Sequence, residues 1–178
     1  MLILGVDPGS LVTGFGIIEV KGKQYRRLTS GVITMRPADS VAIRLRKVYD
    51  GLVEVIDVHH PDEFCIETAF YGKNIQSTLK LGQVRGVAIL AAVHRQLGIT
   101  EYSPREIKRS VTGTGAAAKQ QVEYMVKAIL GIKDGFKKSD EADGLAIAIC
   151  HAMHVTEPRK KFRSWESFIE EHPERLKQ

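Results

Sequence analysis

The sequence predicts one α/β domain, a mixed five-stranded sheet with helices on both faces. Its opening third reads as apolar runs joined by tight turns. The remainder alternates short apolar runs with stretches of helical spacing. The chain has 178 residues, 43% of them hydrophobic, enough for one sizeable core. Hairpins followed by β-α units join antiparallel to parallel strands, and such a sheet is covered on both sides.

Residues 2–6 are a continuous apolar strand that stops at the turn Asp7-Pro8-Gly9-Ser10. Residues 13–20 and 24–35 supply the second and third strands, and the short links imply antiparallel hairpins. Residues 38–58 switch to helical spacing through Val41, Leu45, Val48, Leu52 and Val55, with capping chemistry at Asp39-Ser40. Pro61 ends that pattern, and residues 63–67 form a short buried-type strand. A long helix is expected over 74–97, its apolar positions Leu79, Leu81, Val84, Val87, Leu90 and Ala91 spread over a broad face. Gly82 and Gly86 leave room for another helix to approach, as a packing or dimer surface. A strand at 99–102 follows, then helices at 104–111, 118–130 and 139–155. No repeat or Pro/Gly/Ser-rich linker divides the chain, so one domain over residues 1–155 is expected. Residues 156–178 change composition, as a solvated or back-folded tail or as a basic arm on a polyanion.

Lys and Arg outnumber Asp and Glu by 26 to 21, a net charge of +5, which raises the odds of a polyanionic partner only slightly. Cys65 and Cys150 sit among apolar residues and read as buried thiols rather than a disulfide or metal ligands. No signal-peptide pattern and no apolar run of membrane-spanning length is visible, so a soluble cytoplasmic protein with no membrane partner is expected.

Four acids stand where chemistry gathers. Asp7 and Glu67 end apolar strands, the places where open sheets form crevices, and a carboxylate there needs a metal, a lysine or a hydrogen bond. Asp140 and Asp143 are spaced i, i+3 on one helix face. With Ser139 as N-cap, acids in the first turn are also ordinary helix-start residues, which accounts for Asp140 equally well. Asp143 precedes the apolar run Gly144-Leu-Ala-Ile-Ala148 and so starts a buried helix. Such acids can hold Mg²⁺, a hard cation that takes oxygen ligands. Spacing alone leaves open whether the four converge.

Together these residues resemble the RuvC family of crossover junction endodeoxyribonucleases. The resemblance spans about residues 2–155. It rests on Ile3-Leu-Gly-Val-Asp-Pro-Gly-Ser10, Thr13-Gly-Phe-Gly16, Ile66-Glu67 with Phe70 and Lys73-Asn74, Ser77-Thr-Leu-Lys-Leu-Gly-Gln-Val-Arg-Gly86, Lys119-Gln-Gln-Val122 and Asp140-Glu-Ala-Asp-Gly-Leu-Ala-Ile-Ala148. It implies an RNase H-like fold, a homodimer, and paired symmetric nicks in four-way DNA junctions during recombination and repair. It also implies the RuvA–RuvB branch-migration complex as partner, and Mg²⁺ as cofactor, two ions per subunit, with Mn²⁺ as a substitute. The family's acidic tetrad falls on Asp7, Glu67, Asp140 and Asp143, and some members carry His at the position of Asp140. DNA contacts fall on Phe70, Lys73, Lys108 and Lys119. Phe70 would stack on unpaired bases, and the two later lysines would hold phosphate or offset developing charge.

Simpler roles stand beside these. Phe70 can be core, and Lys108 and Lys119 solvated helix charges. Gly113-Thr114-Gly115 reads as a turn, since it follows a helix rather than a strand. His151 and His154 share a helix face that can bind metal, but helix-end dipole interaction suits them better. The rival activities are another RNase H-superfamily nuclease acting on RNA–DNA hybrids or of transposase type, a phosphotransferase of the sugar-kinase and actin superfamily, and a non-catalytic junction binder.

Overall fold

The computed structural model describes residues 1–68 and 75–156. Its elements in chain order are β1 (Leu2–Asp7), β2 (Val12–Lys21), β3 (Gln24–Thr34), α1 (Val41–His59), β4 (Glu63–Glu67), α2 (Ile75–Val93), β5 (Ile99–Tyr102), α3 (Pro104–Thr112), α4 (Lys119–Leu130) and α5 (Ser139–Thr156). The five strands form one sheet in the order β3-β2-β1-β4-β5. The hairpin strands pair antiparallel, whereas β1–β4 and β4–β5 pair parallel, with helical crossovers between them.

Helices cover both faces. Leu4, Val6, Ile17, Phe64 and Ile66 pack with Val48, Leu52 and Ile56 of α1 and Val84, Ala88 and Ala91 of α2. Ile3, Ile18, Val20 and Cys65 pack on the other face, with Ile107 and Val111 of α3, Val122 and Val126 of α4, and residues of α5 from Leu145 to Ala152. Both cysteines are buried and free.

Local chemistry moves two boundaries from their expected places. Helix α1 begins at Val41, not at residue 38, because Ser40 is extended and its hydroxyl accepts from the Ile43 amide. The preceding Arg36–Asp39 segment closes its own turn, with the Arg36 amide donating to Asp39. Helix α2 stops at Val93 instead of running to residue 97, because Gln96 takes a left-handed conformation and the Leu97 amide donates back to Ala92. Helix α5 begins at Ser139, as expected, so Ser139 lies inside the helix and is not its N-cap. Of the apolar positions on the broad face of α2, Leu79 and Leu90 are exposed, and the helix's buried positions are Val84, Ala88, Ala91 and Ala92.

Candidate metal and active site

Side chains alternate across a strand, so Ile3, Gly5 and Asp7 share one face of β1, and Cys65 and Glu67 share that face on β4. It is the α5 face: Ile3 and Cys65 pack in the core that α5 covers, and Gly5 lies beneath Gly144. The β1–β4 register runs to Val6 opposite Ile66, so the next step sets Asp7 beside Glu67. Asp7 is held by the turn that follows it. The Thr13 hydroxyl donates to the Gly9 carbonyl at 3.2 Å, and Thr13 is fully buried. A side chain at Gly9 would collide with the Val12 carbonyl.

Helix α5 brings the other acids. Gly14 pairs with Asp7, and Gly16 pairs with Gly5, so β1 and β2 carry a flat glycine strip on this face. A Cβ on Gly14 would overlap the Asp140 carbonyl, and one on Gly5 the Gly144 carbonyl. A Cβ on Gly144 would lie 2.6 Å from the Phe15 carbonyl carbon. With glycine on both sides, the backbones approach closely enough to lower the start of α5 onto the end of β1. Carboxylate oxygens of Asp7, Asp140 and Asp143 consequently lie within 4.8 Å of one another. Glu67 adjoins this trio through a hydrogen bond with Asp7.

The crowding is costly without a cation. Burial, then the fields of Asp143 and Asp140, raise Asp7 to about 6. Burial, then the charges of Asp7 and Asp143, raise Glu67 to about 7, with Lys108 opposing them. Asp143 is raised by burial, against the pull of Lys119. The Lys119 ammonium donates to Asp143 at 2.6 Å. Burial disfavours its charge, but Asp143 outweighs that and leaves the lysine raised. A divalent cation fits this donor set, being held by hard oxygen ligands and relieving their mutual repulsion.

Beside the acids opens a cavity of about 180 Å³, lined by Glu67, Ile107, Lys108, Lys119, Val122 and Asp143 among others. Both lysines therefore face the carboxylates rather than bulk water alone. Phe70 and Lys73 lie outside the described residues, as do Asn74 and residues 157–178. The loop at Gly113-Thr114-Gly115 is an internally bonded turn. Thr112 donates to the Lys108 and Thr114 carbonyls, and its hydroxyl accepts from the Thr114 amide. His154 bonds the Cys150 carbonyl at 2.7 Å, and His151 bonds the buried Tyr102 hydroxyl at 2.9 Å. Among the described residues, neither belongs to a group of potential ligands. Sequence reading assigned no role to Gly5, Gly14, Gly16 and Gly144. Their signal was legible, as glycines at alternate positions of one strand and opposite the acids' helix.

A mixed sheet in this order, with helices on both faces and carboxylates at the ends of adjacent strands, defines the RNase H-like class. The family model for "Crossover junction endodeoxyribonuclease RuvC" matches residues 3–151. A protein of that name from Salinibacter ruber is 42% identical over 177 residues, covering 99% of both chains. One from Chromohalobacter salexigens is 49% identical over 151 residues, covering 85% of this chain and 80% of its own. The structure of Thermus thermophilus RuvC in complex with a Holliday junction substrate superposes with a TM-score of 0.83 at 31% identity, covering 88% of this chain and 95% of that one. The chain belongs to the RuvC family of crossover junction endodeoxyribonucleases. The yeast mitochondrial Holliday junction resolvase Ydc2 shares the fold, with a TM-score of 0.58 at 13% identity.

Proposed function

We propose that this chain is an endonuclease that resolves four-way (Holliday) DNA junctions by paired, symmetric, metal-dependent nicks in recombination and repair. The observation that carries the reading is the convergence of Asp7, Asp140 and Asp143 at the strand ends of a chain that matches this family over residues 3–151. Asp7, Glu67, Asp140 and Asp143 are the proposed ligands of Mg²⁺, two ions per subunit, with Mn²⁺ able to substitute. Ions held by these residues would supply the chemistry of activating a water and stabilising the leaving oxygen. The protein's own part is to hold the acids together, with Lys119 favouring the ionised form of Asp143 against the effect of burial. Lys119 and Lys108, on either side of the cavity, offset charge on the phosphate as it develops. The products carry a 5′-phosphate and a 3′-hydroxyl, and no covalent enzyme intermediate is required.

Phe70 and Lys73 are proposed to meet the junction from the segment between β4 and α2, the ring stacking on unpaired bases and the ammonium on phosphate. Residues 1–155 are proposed as the nuclease domain, with 156–178 as an appended tail. A homodimer is proposed across α2. Ile75, Leu79, Leu90 and Val93 are exposed there, and Gly82 and Gly86 lie on the same stripe with nothing of this chain within 4 Å of where a side chain would start. Paired nicks need two active sites, and a two-fold axis through that stripe supplies the second. The RuvA–RuvB branch-migration complex is the proposed partner in a cytoplasmic reaction. No helix among the described residues is long and apolar enough to cross a membrane.

The reading is tested by offering the enzyme immobile four-way junctions, linear duplexes of the same sequence and RNA–DNA hybrids, with Mg²⁺. Preference for the junction is expected. Preference for the hybrid would overturn the reading in favour of another RNase H-superfamily activity.

A further inference from the structure

Behind the Asp7 turn, a second cleft opens between α1 and α2, lined by Ser10, Arg44, Lys80 and Gln83 together with Val41 and Val84. No acid lines it. The cations elsewhere on these helices are neutralised. Arg46 pairs with Asp50, Lys47 with Asp39 and Arg85 with Glu101, and Arg95, just beyond α2, pairs with Asp57. Among the described residues, Arg44 and Lys80 have no carboxylate partner. The Arg44 Nε is buried without any hydrogen-bond acceptor, and a buried donor left unpaired is costly. Two unpaired cations, a hydroxyl and an amide converge on one mouth, as an anion site requires.

We propose that this cleft is a phosphate-binding subsite for the DNA backbone, seated beside the scissile position. Its interior holds only about 10 Å³, roughly one water, so no base inserts, and the occupant lies across the mouth. Ser10 is three residues from Asp7, a span of at most about 11 Å. At about 3.4 Å per nucleotide along a strand, the phosphate held here lies within about three nucleotides of the one being cut. Arg44 presents a planar fork to phosphate oxygens, and Lys80 adds a point charge. The contact fixes the register of the strand and carries no sequence preference of its own.

This subsite rests on the junction-nuclease reading, and the experiment separates the two. Binding of an immobile four-way junction is measured in EDTA between about 50 and 200 mM salt for wild type, Arg44→Gln, Lys80→Gln and the double variant, with melting curves for each. The double change is expected to reduce the magnitude of the slope of log K against log salt by about 1.4–1.8, one phosphate in each subunit of the dimer, and each single change by part of that, on every junction sequence alike. Arg46→Gln, the same charge change on the same helix, should keep the wild-type slope, as should Arg44→Lys. Lys80 is exposed, so its variant is informative even if Arg44→Gln destabilises the fold. A double variant with the wild-type slope, or a control that loses as much, overturns the subsite alone. Wild type that binds junctions no better than linear duplex overturns the functional reading with it.

Discussion

On the α1/α2 face the sheet presents Leu4, Val6, Ile17, Phe64 and Ile66, whereas on the α5 face, toward the site, it presents Gly5, Gly14 and Gly16. The first face gains from burying large side chains, and helix and sheet are held apart by them. The second forgoes that gain so that two backbones can touch, and the helix lowered there carries Asp140 and Asp143 to Asp7. One side supplies stability with ordinary core packing. The other spends some of it on crowding like charges, with Asp7 raised to about 6 and Glu67 to about 7 before any cation binds. Both faces bury a core, and the chemistry is confined to the site end of the α5 face, where glycine replaces large side chains.

Several substitutions would break or sharpen that division. The largest effect is expected from Asp7→Asn, which should lower the cutting rate at least about 100-fold, the scale of one electrostatic group in a site, while junction binding persists. Normal nicking by that variant under single-turnover conditions would remove Asp7 from the mechanism. Leu52→Ala, on the opposite face and fully buried, should cost about 2–5 kcal/mol in urea unfolding. Its cutting rate well below the melting temperature should match wild type, and a parallel loss of rate would deny that the faces act separately.

Gly14→Ala should cost less stability, about 1–3 kcal/mol, because the new methyl group meets the Asp140 backbone and displaces α5. Its signature is a raised requirement for Mg²⁺ in cutting, since the displaced acids no longer share the ion as well. Unchanged metal dependence would mean that the glycine strip serves packing alone.

The smallest effect is a pH-dependent one. Raised folded-state values mean that Asp7 and Glu67 bind more protons folded than unfolded. Their contribution to stability is therefore full below about pH 4 and is lost as pH rises through about 6 to 7. Without metal, Asp7→Asn should be equal to wild type at pH 4 and more stable by on the order of 1–3 kcal/mol at pH 7.5. Saturating Mg²⁺ should erase the difference by stabilising wild type alone. Thermal melts across this range check it, and a gap that widens toward low pH would reverse the assigned sign.

Much of this was readable in the chain, for local reasons. An apolar run that stops at an acid and a turn placed Asp7 and Glu67 at strand ends, and alternation along the strand puts both on the α5 face. Ser40 and Gln96 moved helix ends by a few residues because capping depends on backbone conformation, which periodicity does not report. Leu79 and Leu90, read as part of one broad apolar face with Val84 and Ala91, lie exposed on a stripe with Gly82 and Gly86. Hydrophobicity alone does not distinguish a buried face from an exposed apolar one.

The sequence by itself determined the fold class, the order of elements and two strand-end acids, because periodicity and turn chemistry act over a few residues. Only the tertiary structure decided which acids meet. Asp140, explicable from sequence as a helix-start residue, sits in the three-carboxylate cluster, and Glu67 joins it through Asp7. It likewise decided that Arg44 and Lys80, ordinary helix charges in the chain, line one cleft with no carboxylate partner among the described residues. Convergence is a matter of distance between elements far apart in sequence, set here by where glycine lets one backbone rest upon another.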